Sequence, residues 1–123
     1  MTCFAKFLAS RLRSFGFAFG GLLYALRTQG NIRVHLLASI IVVASGFGFG
    51  IGPVEWAILV GAIGLVWMAE LLNTAVETLC DYVEPARADA IKHTKDLAAA
   101  AVLVSAICAA AMGALVFWPY LVS

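Results

Sequence analysis

Residues 56–80 read W-A-I-L-V-G-A-I-G-L-V-W-M-A-E-L-L-N-T-A-V-E-T-L-C. The stretch is apolar enough to cross a bilayer, yet it carries Glu70, Asn73 and Glu77. At about 100° per residue, positions 70 and 77 point within roughly 20° of each other on a helix, and 73 lies beside them. An ionisable group at membrane depth costs roughly 2.5–3.5 kcal/mol on insertion scales. A stripe of that cost marks a functional site by default; the plainer alternative is polar glue between packed helices.

Working outward, the whole chain has the composition of an integral membrane protein. Of its 123 residues 63% are hydrophobic and 12% charged, with mean hydropathy +1.00, whereas soluble domains carry roughly 25% charged residues. A net charge of +1 without a basic run speaks against a nucleic-acid partner. Cys3, Cys80 and Cys108 have no CxxC spacing and read as small apolar residues, with no disulfide framework and no cysteine metal site. No cleavable signal peptide is expected, because the N-terminal apolar residues are spaced and no small-residue cleavage site follows a short apolar core.

The predicted fold is all-α and forms a single membrane domain. Phe4, Phe7, Leu8, Leu12, Phe15, Phe19, Leu22, Leu23 and Leu26 recur every three or four positions, with Lys6, Arg11, Arg13 and Arg27 interleaved. That pattern predicts an amphipathic interfacial helix over 4–28, which Gly16, Gly20 and Gly21 weaken or break. Transmembrane helices are expected at 34–50, 54–80 and 97–118. Gly-Ile-Gly-Pro at 50–53 separates the first two, and Trp118 and Tyr120 act as interface anchors. Residues 81–96 are expected to be a charged loop.

Basic residues flank the first span on its N-terminal side and populate 81–96, while the 50–55 turn and the C-terminal tail have none. The positive-inside rule therefore puts the N-terminus and the 81–96 loop in the cytoplasm. Three helices alone give little cover for a carboxylate stripe, so an oligomer is expected, its order left open by these residues.

Glu70, Asn73, Glu77 and Asp81 share one helical face that runs from membrane depth to the cytoplasmic edge. Lys95 and Asp96 return to that surface, and Gln29, Asn31, Arg33 and His35 lie on the same side near the headgroups. Carboxylates in this setting suit metal-assisted phosphoryl transfer, since Mg²⁺ takes one or two carboxylates plus phosphate oxygens. A separate carboxylate can take the proton of an attacking hydroxyl. Glu70, the deeper one, is the candidate base and Glu77 the candidate metal ligand. Lys95 would neutralise nucleotide phosphates, and Asn31 and Arg33 are candidate contacts to the lipid substrate. No P-loop is present: the glycines of 46–52 lack the Gly-Lys-Ser/Thr ending.

A-E-L-L-N-T-A-V-E at 69–77, followed by K-D-L-A-A-A-A-V-L at 95–103, resembles the small bacterial diacylglycerol kinase and undecaprenol kinase family. S-F-G-F-A-F-G-G-L at 14–22 and N-I-R-V-H at 31–35 resemble it too. The resemblance implies a homotrimeric inner-membrane kinase with an interfacial helix and three spans per chain. Such an enzyme transfers the ATP γ-phosphate to a lipid alcohol with Mg²⁺. It puts the general base on Glu70 with Asn73 as its neighbouring amide, and a metal ligand on Glu77. The nucleotide-contacting pair falls on Lys95 and Asp96, and Asp81 matches an acidic position at the helix end.

Two departures stand out. Gln29 occupies a position where many members carry a second metal-binding Glu, which implies a weaker or displaced Mg²⁺. Ala88 stands near a histidine common before the Lys-Asp pair, with His93 later. The N-x-R-x-H element resembles the undecaprenol-kinase branch more than the enterobacterial diacylglycerol kinases. The competing readings are a small membrane transporter or a structural subunit that uses the same stripe. A CDP-alcohol phosphotransferase is disfavoured because its multi-Asp motif is absent.

Overall fold

The computed structural model describes residues 2–83 and 88–123. Among them the chain is four α-helices joined by short connections: α1 (Cys3–Thr28), α2 (Gly30–Phe49), α3 (Pro53–Val83) and α4 (Asp89–Val122). The last three are long and apolar enough to cross a membrane. α1 starts at Thr2, whose hydroxyl accepts the Ala5 N–H at 3.2 Å, and runs through Gly16, Gly20 and Gly21 without a break. Of its residues only Ala25 is buried, and Phe4, Leu12, Phe15 and Phe19 stay exposed.

Gln29 is the hinge between α1 and α2, with an extended backbone (φ −112°, ψ 112°) that ends one helix and starts the next. Its N–H donates to Ala25 O at 2.8 Å. Arg33 then reaches back and donates to Leu26 O at 2.9 Å and Arg27 O at 2.6 Å. Those carbonyls have no partner within α1, so the guanidinium caps the helix and meets the negative end of its dipole.

The α2–α3 turn follows from its glycines and proline. Gly50 takes the left-handed conformation (φ 66°, ψ 43°) after the end of α2, and the Ile51 N–H donates back to Gly46 O at 3.2 Å. Only glycine adopts that conformation without a Cβ penalty. Pro53 then opens α3, where its missing N–H costs nothing.

α3 is the central element, packed along α4 and touching both α2 and α1. Side-chain pairs set its registers. His35 meets Glu70 and Ser39 meets Trp67, which aligns α2 antiparallel to α3. Lys95 meets Asp81 at one end of the α3–α4 pair, and Tyr120 donates to Glu55 at 2.8 Å at the other. Leu59 and Ile32 are the largest fully buried side chains. Much of the remaining apolar surface, including Phe47, Leu72, Leu103 and Leu115, faces outward, as a lipid-facing or subunit-facing surface does.

The helices outrun the predicted spans. α3 extends to Val83 and α4 begins at Asp89, so the described parts of 81–96 are largely helical; residues 84–87 lie outside the described ones. Hydropathy marks where lipid contact ends, whereas helical hydrogen bonding continues as far as the residues favour it. Here Lys92 and Asp96 pair one turn apart at 2.7 Å, a spacing that supports a solvated helix.

Gly46 on α2 lies close against Trp56 on α3. A Cβ there would lie 2.7 and 2.9 Å from Trp56 ring carbons and 3.2 Å from Ile51 Cδ1. Gly46→Val is expected to destabilise the fold by about 1–3 kcal/mol through overpacking. Gly48→Ala, with open space around position 48, should leave stability nearly unchanged. Thermal unfolding of both variants in the same detergent checks this.

Candidate functional site

The stripe on α3 turns inward at its deep end. Glu70 is 3% exposed, and its Oε1 lies 2.9 Å from His35 Nε2 on α2. The His35 carbonyl accepts the Ser39 hydroxyl at 2.7 Å, and Ser39 Oγ in turn accepts Trp67 Nε1–H at 2.9 Å. One connected set of polar groups thus ties α2 to α3 around the carboxylate. The Thr74 hydroxyl is buried and donates to Glu70 O at 2.9 Å, so it satisfies itself within α3.

Asn73 lies one position around the helix and faces the groove between α3 and α4, alongside Ala101 and Ser105. Its Oδ1 is sealed from solvent and has no hydrogen-bond partner among the described residues. Glu77 is half-buried. Asp81, in the last turn of α3, accepts a hydrogen bond from Lys95 Nζ at 2.5 Å. Lys95 and Asp96 precede the apolar stretch 97–118, at the water-exposed start of α4.

Charge at this shallow end is arranged in pairs. The hydrogen bond that Lys95 donates to Asp81 holds its ammonium above the ordinary value of 10.5, with Glu77 adding a smaller attraction. Lys92 draws Asp96 below its ordinary 3.8, first through a hydrogen bond and then through its charge. The Lys95 pair therefore contributes fully below 10.5 and is lost as pH rises through the raised value. The Asp96 pair contributes above 3.8 and is lost as pH falls through the lowered value. Both pairs are exposed, so their effect on stability is small.

Gln29, half-buried at the α1–α2 junction, does not appear beside Glu77 in a hydrogen bond. The antiparallel register places it at the same depth, however. Stepping from the His35–Glu70 pair toward the shallow end, roughly 9 Å along both helices brings Gln29 level with Val76 and Glu77. Asn31 is exposed, and Arg33 is engaged with the end of α1. Among the described residues no three His, Cys, Asp or Glu side chains gather as a metal-binding group.

A groove of about 880 Å³ runs beside the stripe between α1 and α3, lined by Ala18, Gly21, Ala25, Leu71 and Ala75 among others. Its walls are mostly apolar.

Sequence reasoning found the stripe, since buried charge is visible in any apolar run. It placed His35 on the same side as the stripe and within N-I-R-V-H but did not pair it with Glu70, and Ser39 and Trp67 carried no signal. Their role depends on how α2 and α3 align.

The family model described as prokaryotic diacylglycerol kinase matches residues 16–117. The undecaprenol kinase of Bacillus subtilis is 36% identical over 109 residues, 89% of each chain. The diacylglycerol kinase of Synechocystis is 36% identical over 113 residues, 91% of this chain and 65% of the relative. That of Escherichia coli K12 is 23% identical over 109 residues.

Removing the Asp81 charge should release Lys95. In Asp81→Asn, the Lys95 ammonium is expected to titrate lower than in the unaltered chain, nearer its ordinary value. NMR titration of the lysine side chains checks the shift, and an unmoved Lys95 titration would refute the pairing.

Proposed function

Because the chain belongs to the prokaryotic diacylglycerol kinase family and is a lipid kinase, we propose that it transfers the γ-phosphate of ATP to the hydroxyl of a membrane lipid alcohol at the cytoplasmic face of the bacterial inner membrane. The observation that carries this reading is the depth gradient on one face of α3. A buried carboxylate, Glu70, stands below half-buried Glu77, which stands below the exposed Asp81–Lys95 pair. The reaction has the same requirement, because its hydroxyl stays in lipid while its nucleotide stays in water.

In this reading the Glu70 carboxylate takes the proton from the lipid hydroxyl as that oxygen bonds to the γ-phosphorus. The bond from the γ-phosphorus to the bridging oxygen breaks, and ADP leaves with the electron pair. Lys95 exchanges part of its contact with Asp81 for nucleotide phosphate oxygens, and Asp96 orients the nucleotide beside it. Asn73 Oδ1, a buried acceptor without a donor among the described residues, supplies a polar contact beside the reacting hydroxyl. Asn31 and Arg33 sit at headgroup level, where Arg33 also keeps α1 docked.

The donor set fits a hard divalent cation that takes most of its ligands from phosphate and water. Glu77 would hold the Mg²⁺ together with the amide oxygen of Gln29, and the ion would neutralise phosphate charge. An amide in place of a carboxylate leaves less negative charge to attract it. The apolar groove between α1 and α3 offers room for hydrocarbon. We favour undecaprenol over diacylglycerol as acceptor, on the N-I-R-V-H element and on the Bacillus relative that spans 89% of both chains. A homotrimer would cover outward-facing apolar residues such as Leu72 and Leu103.

Purified protein in bilayers is expected to convert undecaprenol to its phosphate with ATP, and faster than diacylglycerol assayed beside it. Glu70→Gln should lower turnover at least about 100-fold, the scale of a lost general base, with unchanged elution in detergent. Full activity in Glu70→Gln would remove Glu70 as the base. Gln29→Glu is expected to lower the Mg²⁺ concentration giving half-maximal rate; an unmoved Mg²⁺ curve would remove Gln29 from the metal site.

A further inference from the structure

We propose that His35 is a positioning residue for Glu70, holding one carboxylate oxygen so that the other is presented to the lipid hydroxyl. The proposal rests on the reading of Glu70 as base and assigns a role to a residue on a different helix. Three observations carry it. The contact is direct, with Nε2 2.9 Å from Oε1, and the two side chains are 22% and 4% exposed. The helix segment bearing His35 is itself fixed, because Ser39 donates to its carbonyl and Trp67 donates to Ser39. Finally, His35 Nε2 is the protein group found on the Glu70 carboxylate among the described contacts.

The chemistry assigns the direction of that hydrogen bond. A carboxylate able to take a proton is ionised and only accepts, so the proton between the two side chains belongs to Nε2. A carboxylic acid donating to a bare Nε2 has no capacity left as a base. His35 in its Nε2–H form therefore selects the working form of Glu70, compensates its buried charge and limits its rotation. The imidazole does not touch the reacting atoms, and the proton it holds is not the one transferred.

Position 35 can be changed with and without the donor at similar size. His35→Gln keeps an N–H near the Nε2 position, whereas His35→Met fills the space without one. Turnover is expected to fall about 100-fold in His35→Met, the scale of a misplaced reacting group, while the KM for ATP stays within about twofold. His35→Gln should recover most of the loss. Equal turnover in the two variants, or a KM change as large as the turnover change, would overturn the positioning role. Glu70→Gln separates the two levels of the reading. If it is inactive while His35→Met is fully active, only the proposal for His35 fails; if Glu70→Gln is itself fully active, the base reading fails and the proposal with it. Should His35→Met not fold, ¹⁵N NMR of the wild-type imidazole decides, with His93→Gln used to assign the signal. A protonated Nε2 is required, and a bare Nε2 at the assay pH overturns the proposal.

Discussion

A carboxylate buried at membrane depth must have a partner, and Glu70 finds it on another helix. The contact with His35 Nε2 at 2.9 Å meets the requirement that an unpaired buried charge would violate. Much else in the protomer follows from it. His35 can reach Glu70 only if α2 runs antiparallel to α3 at one register, and Ser39 with Trp67 repeats that register one turn deeper. Gly46 against Trp56 continues it toward the opposite side of the membrane. The turn at Gly50 is the short connection this alignment needs.

The α3–α4 pair is pinned differently. Its ends carry the polar contacts, Asp81 with Lys95 and Glu55 with Tyr120, and its middle carries small residues such as Ala62, Ala106 and Ala109, which line a cavity of about 210 Å³ shared with α2. Small side chains let backbones approach where no hydrophobic effect drives them together. The consequence for function is a separation of duties. The helix packing encloses Glu70 and the Asn73 amide oxygen, while the exposed Asp81–Lys95 pair can exchange partners at little cost because surface ion pairs are weak.

α1 is joined to this frame at few points. Gln29 turns the chain, Arg33 caps its last carbonyls, and Ala25 is its one buried residue. The same arginine that sequence reading makes a candidate contact to the lipid substrate thus has a structural duty as well. Because Arg33 donates to two carbonyls of α1, its loss would alter the tilt of the interfacial helix as well as any headgroup contact.

The amino-acid sequence by itself determined the all-α membrane class, the apolar spans, the turn at 50–53 and the polar stripe. Each depends on local composition and on the helical period, which no packing can change. It also carried the family, since A-E-L-L-N-T-A-V-E and K-D-L-A-A-A-A-V-L are contiguous blocks. The extents of α3 and α4 were less legible, because charged residues such as Lys92 and Asp96 leave lipid without leaving the helix. Only the tertiary structure decided the partners: His35 for Glu70, Asp81 for Lys95 and the end of α1 for Arg33. Those contacts join residues far apart in the chain, and a hydrogen bond across two helices depends on a register that neither helix encodes alone.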